Sequence, residues 1–230
     1  MKTTDEIVAI VNALPAPNEI ADAGGTEQEY LPASGFLKLH RIDVNGNKIS
    51  ESVRAEDIHY MATDLRDRSI ILFLKDGQQV HVVDKFHDAF NQWKQREPVV
   101  FFKRKLYVEE SYYLAVRVAD ILAFDMSKED GTTMLLSFAG VDRRFEICGH
   151  FEHEVKKLFP LRRFAAFTKI VKDTNGCACA VPTDSVRRVV TSHRNGVTIL
   201  LMNDQQLSRI AVYESVEDVV DIIENLESAA

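Results

Sequence analysis

Apolar positions along this chain alternate between two rhythms. Runs with a period of two, the signature of half-buried strands, give way to short stretches in which apolar residues return every three or four positions, as on one side of a helix. The clearest passage is Val197-Thr198-Ile199-Leu200-Leu201-Met202, then Ile210-Ala211-Val212-Tyr213, then Glu214-Ser215 and an apolar-periodic run from Val216 to Ile223. It predicts strand, turn, strand and a short amphipathic helix. An offset of about 65 residues carries Leu200, Tyr213, Val216, Val220 and Ile223 onto Leu135, Cys148, Phe151, Val155 and Leu158. The same step again lands on Ile70, Val83, Phe86, Phe90 and Trp93. Every landing is apolar and in phase, which predicts tandem structural units.

The first repeat, residues 36–97, opens with the strand Phe36 to Ile42, a Val44-Asn45-Gly46-Asn47 hairpin turn and a return strand from Ile49 to Val53. A third strand runs near Ile58 to Thr63. Ser69 to Leu74 and Gln79 to Val83 then complete a five-strand meander, closed by a helix over Lys85 to Trp93. The second repeat spans residues 98–160 and the third residues 161–230, whose first turn is Asp173-Thr174-Asn175-Gly176. Arg54-Ala55-Glu56-Asp57-Ile58 and Arg117-Val118-Ala119-Asp120-Ile121 are the strongest shared signature, with a fainter echo in Pro182-Thr183-Asp184-Ser185-Val186. An Asp just before an apolar residue suits a side-chain-capped turn feeding a strand.

Residues 1–35 differ. Thr3 and Glu6 have the spacing of a capping box, and Ile7, Val8, Ile10, Val11 and Leu14 form one apolar side of a short helix. Pro15 and Pro17 stop it, and residues 15–35 read as an acidic linker. So short a helix is marginal alone in water. Its apolar side therefore docks on its own repeats or on a partner. The expected fold class is α+β, mostly β: three tandem units of about five antiparallel strands plus one helix, preceded by a tethered helix.

The third repeat has an Asn-Gly turn at Asn195-Gly196 and the strand Val197 to Met202, followed by Ile210-Ala211-Val212-Tyr213-Glu214-Ser215-Val216-Glu217-Asp218-Val219. In these residues it resembles the small FlbD-like proteins of bacteria and phages. Repeat one shares the likeness moderately. Repeat two shares it poorly, with Gly149-His150-Phe151-Glu152 where the Glu-Ser-Val-Glu stands. The resemblance implies a fold unit and a bacterial or phage cytoplasmic setting, and brings no catalytic motif.

Composition is that of a globular protein, 46% hydrophobic and 27% charged, and no apolar run approaches the roughly 20 residues that span a bilayer. The first residues carry acids where a signal peptide has bases, so the cytoplasm is expected. An odd cysteine count argues against a disulfide framework. Cys177-Ala178-Cys179 lies on a predicted strand with both sulfurs on one side. It misses the spacing of structural zinc sites and reads as small buried hydrophobes. His150 and His153 share a helix side without the companion glutamate of a zinc protease motif. No phosphate loop or nucleophile elbow occurs, so neither an enzyme nor a cofactor is expected.

A net charge of −7 disfavours a dominant nucleic-acid role. Basic residues nevertheless gather at the repeat joints, in Lys103-Arg104-Lys105, Arg143-Arg144 and Arg162-Arg163, with Phe101, Phe102 and Tyr107 interleaved. Such mixing can bind an anion or a single strand, and strand alternation accounts for it equally. The leading expectation is a non-enzymatic protein-binding module, a bacterial or phage modulator of a larger machine, with Ile7, Val8, Ile10, Val11 and Leu14 as docking element. The alternatives are a nucleic-acid-associated regulator using the joint bases, and a binder of a small anionic ligand between repeats. Self-association is compatible with the first.

Overall fold

Period-two stretches become strands and the three-to-four-residue stretches become helices. The computed structural model describes residues 2–13, 35–105, 112–126, 133–142, 144–172, 176–193 and 195–228. Leu14, the linker residues 15–34, Tyr107, Arg143 and the turn residues Asp173, Thr174 and Asn175 lie outside them. Helix α1 (Thr4–Asn12) comes first. Then follow β1 (Phe36–Ile42), β2 (Lys48–Arg54), a 3₁₀ turn (Ala55–Asp57), β3 (Ile58–Thr63), β4 (Ile70–Leu74), β5 (Gln79–Val82) and α2 (Phe86–Lys94). The same order runs through β6 (Val99–Arg104), β7 (Tyr112–Arg117), a 3₁₀ turn (Val118–Asp120), β8 (Ile121–Met126), β9 (Thr133–Phe138), β10 (Phe145–Cys148) and α3 (Phe151–Lys156). It runs again through β11 (Phe164–Lys169), β12 (Cys177–Pro182), a 3₁₀ turn (Thr183–Ser185), β13 (Val186–Thr191), β14 (Thr198–Met202), β15 (Arg209–Val212) and α4 (Val216–Ser228). The fold is α+β with strand predominating.

Ile70, Leu135 and Leu200 fall in β4, β9 and β14, and Phe86, Phe151 and Val216 each open a helix. A β-bulge recurs at one place in every third strand, between Ile58 and Tyr60, between Ile121 and Ala123, and between Val186 and Arg188. The extra residue bends each strand just after its 3₁₀ turn.

Compact units do not follow the 97/98 and 160/161 boundaries. One unit is Glu27–Ala119, the other Met1–Thr26 with Asp120–Ala230. The division falls inside the second stretch because pairing crosses from stretch to stretch: β7 pairs with β3, and β12 with β8.

In the first unit the sheet runs β6-β7-β3-β4-β5. The hairpin β1-β2 turns at Asp43, whose carboxylate accepts the N–H groups of Asn45 and Asn47, both at 2.8 Å. Val83 N–H donates to His40 O at 2.9 Å and ties β1 to the end of β5. Leu37, Leu39, Ile58, Phe90 and Trp93 build the core beneath. Phe86, Ala89, Phe90 and Trp93 are the buried side of α2, as the periodicity predicts.

The second unit runs β13-β14-β15-β11-β12-β8-β9-β10. Helix α1 lies against β11, β12 and α3, and its capping box forms, with Glu6 N–H on Thr3 Oγ1 and Thr3 N–H on Glu6 Oε2. Asn12 then acts as a short strand in miniature. Its amide donates to Ala166 O and accepts from Ala166 N–H, both at 2.8 Å. This satisfies β11 where β15 no longer reaches it, since β15 pairs with β11 only at Lys169.

Helix α4 packs on β13, β11 and the Thr183–Ser185 turn through Val219 and Leu226, with Val220 only half-buried. The buried side is thus rotated one residue from the Val216–Val220–Ile223 stripe that the offset suggests. Val219→Asp should therefore lower stability by about 3 kcal/mol or more, and Val220→Asp by clearly less, as read from chemical denaturation of both. Asn12→Ala leaves two backbone groups of β11 without partners and should cost about 1–3 kcal/mol in the same experiment.

Candidate functional site

The most regular chemistry in the chain lies where one stretch pairs with the next. At the first joint Tyr60, Met61 and Ala62 of β3 face Val116, Ala115 and Leu114 of β7. At the second, Phe124 and Asp125 of β8 face Ala180 and Cys179 of β12. Counted from the 3₁₀ turns, the two registers are identical. Each sets a bulky side chain opposite alanine, Met61 on Ala115 and Phe124 on Ala180, a pairing of large with small across the joint.

Each joint is also clasped by an arginine. Arg117, the buried last residue of β7, donates through Nη2 to Ile58 O at 2.5 Å, with Glu56 O and Ala55 O beside it. Arg162 donates through Nη1 to Ile121 O at 3.0 Å, and its other nitrogens fork onto Asp184 at 2.7–3.1 Å. The carbonyl that opens β3 and the carbonyl that opens β8 are thus both neutralised by a guanidinium from the following stretch. Charge-assisted bonds of this kind are roughly twice as strong as neutral ones.

The third strand of the last stretch, β13, stands at the end of its sheet, and among the described residues β2 is paired only with β1. Ser192 N–H donates to Val197 O at 2.7 Å, and antiparallel alternation then turns the N–H and C=O of Val189 away from β14. Ala55 N–H donates to Gly35 O at 3.1 Å, which likewise turns Ser52 away from β1. Exposure follows pairing. The strands β3, β8, β7 and β12 are buried nearly throughout, whereas β13 is half-exposed to exposed and β2 is buried only at Val53. An unpaired strand edge is a template for another strand.

Sequence-derived site residues fall elsewhere. Ile7, Val8 and Val11 are buried against the chain's own β11, β12 and α3, and Ile10 is half-exposed. Of the two dockings open to the apolar side of α1, its described residues show the one on its own chain. The physical reason is area: the strands it lies against, β11 and β12, are almost wholly buried and mostly apolar. Arg144 pairs with Asp125 at 2.9 Å and Arg162 with Asp184, while Arg163 stacks its guanidinium over Phe159 at 5.7 Å. Lys103 is exposed on β6, and Arg104 and Lys105 are half-buried at its end.

Cys177 and Cys179 are buried on β12. Burial first, and the Asp125 carboxylate next, push the Cys179 thiol well above its usual range, which keeps it protonated and poor as a metal-binding thiolate. Between the second and third stretches a cleft of about 230 Å³ is lined by Leu122, Phe138, Asp142, Arg144 and Gln206. It is smaller than the roughly 300–1,000 Å³ of ordinary ligand pockets.

The chain matches no family model, no curated protein and no solved structure.

Asp125 was not singled out by motif or spacing. It is 5% exposed and holds both Arg144 and Lys169, the latter at 2.8 and 2.9 Å. Asp125→Asn should destabilise the second unit by about 1–3 kcal/mol, because Arg144 and Lys169 lose their buried carboxylate while both keep partial access to solvent. A melting temperature equal to wild type would show that solvent replaces the carboxylate.

Proposed function

We propose that the protein is a non-enzymatic protein-binding module that docks by strand addition along the outer edge of β13. A bacterial or phage cytoplasmic setting, as modulator of a larger assembly, extends this reading through the likeness of the third stretch to FlbD-like proteins. The observation that carries it is the outward-facing backbone of Val189 in a strand whose counterparts β3 and β8 are each covered by a further strand. Strand addition draws affinity from main-chain hydrogen bonds and selectivity from alternate side chains. Along β13 these are Arg188 and Val190 on one side and Val189 on the other.

Nucleic-acid association has less support. Arg144 and Arg162 are taken up by Asp125 and Asp184, and phosphate binding draws on cations that are available to it.

Val189→Pro removes an N–H that β14 does not use, and proline is tolerated at such an edge. The variant should melt like wild type and lose the proteins that wild type captures from a bacterial lysate. Equal capture by both proteins would refute docking along β13.

A further inference from the structure

We infer that the strand received by β13 is β2 of a second copy of this chain, so that molecules associate head to tail. The inference rests on the strand-addition reading above and gives it an occupant.

Its ground is the repeated joint. Twice within the chain the third strand of one stretch receives the second strand of the next, in one register. Among the described residues, the first stretch has a second strand, β2, that no third strand receives, and the last has a third strand, β13, that receives no second strand. Carried to these ends, the register sets Arg188 opposite Val53, Val189 opposite Ser52 and Val190 opposite Glu51.

Three independent features fit that alignment. First, hydrogen-bond phase: Val189 and Ser52 are directly opposite, and both turn their backbone groups outward. Met61 and Ala115 stand in the same relation, because Asp64 N–H donates to Ser69 O and Val118 N–H to Pro98 O. Second, size: small Ser52 meets Val189 where alanine meets Met61 and Phe124 inside the chain. Third, the clasp: Arg54 ends β2 as Arg117 ends β7. It is about half exposed, beside Glu56 at 3.2 Å and over the Phe36 ring at 4.9 Å. In the contact its guanidinium meets the carbonyls of Thr183, Asp184 and Val186, the counterparts of Ala55, Glu56 and Ile58. Glu51 also lies diagonal to Arg188, a favourable cross-strand charge pair. The contact is heterologous, so it closes into a ring of copies or runs on as a filament according to its rotation.

Cysteine pairs in purified protein test this directly. In a Cys148→Ser background, one preparation carries Ser52→Cys and another Val189→Cys. Opposed residues have Cα atoms about 5.5 Å apart, within disulfide reach. Mixed under mild oxidation, the two should give a covalent heterodimer that neither gives alone. Ser50→Cys, one pleat away, should couple to Val189→Cys far less. In sedimentation, wild type should gain mass with concentration, and Arg54→Ala should associate about tenfold more weakly with an unchanged melting temperature. Three results overturn the inference: a monomer at every concentration, no heterodimer on mixing, or equal coupling at Ser50 and Ser52. Should they occur while Val189→Pro still abolishes capture from lysate, docking along β13 stands and only the second copy is lost. Should Val189→Pro capture normally, the docking reading itself fails.

Discussion

Backbone pairing between a third strand and the second strand of the following stretch is the constraint on which the rest of this structure depends. A stretch of about 65 residues is marginal as a separate domain, because it buries only roughly 60% of its unfolded surface. Sharing a strand edge, rather than merely abutting, lets neighbouring stretches bury backbone as well as side chains. The arginine at each joint serves the same end. The carbonyls of Glu56, Ile58 and Ile121 lie where turn gives way to strand, and leaving such a group buried and unpaired would cost about 1–3 kcal/mol. Arg117 and Arg162 take them up from the side of the incoming stretch, so a joint is complete only when both stretches are folded.

Much of the element order could be read from the amino acids alone, because period-two and helical rhythms are strong and the Asp-containing turns recur. The hairpin at Asn45-Gly46 and the apolar side of α2 fall where those rhythms put them. Two things escaped. The buried side of α4 is rotated onto Val219 and Leu226, since helices with several adjacent aliphatics have more than one plausible stripe and only packing chooses. The cover of α1 by β11 and β12 was open in the sequence, because an amphipathic helix carries no address for its partner. Asn12, whose amide completes that docking, has no motif at all.

The candidate edge was legible only in part. Arg54 and Arg117 stand in matching signatures, yet nothing in the sequence says that one is buried at a joint and the other exposed. That distinction comes from pairing, which is non-local. Asp125 illustrates the same limit: its partners Arg144 and Lys169 lie 19 and 44 residues away along the chain. Two of the basic clusters hold partners that spacing did not reveal: Arg144 the Asp125 carboxylate, Arg162 that of Asp184 and Arg163 the Phe159 ring.

Three stretches with one element order carry a hazard during synthesis, since like-placed strands can pair in the wrong order before the chain is complete. The end of the second strand bears on this. It is Arg54, then Arg117, then Pro182. Pro182 has no side chain able to reach a carbonyl, so at the second joint the guanidinium comes from Arg162, ahead of β11. If β12 strayed onto β3, the guanidinium would have to come from Arg162, whose fork onto Asp184 forms only when the start of β11 is in place as well. The two joints are therefore not closed alike: the first is clasped by the incoming strand itself, the second from the residues ahead of its hairpin partner.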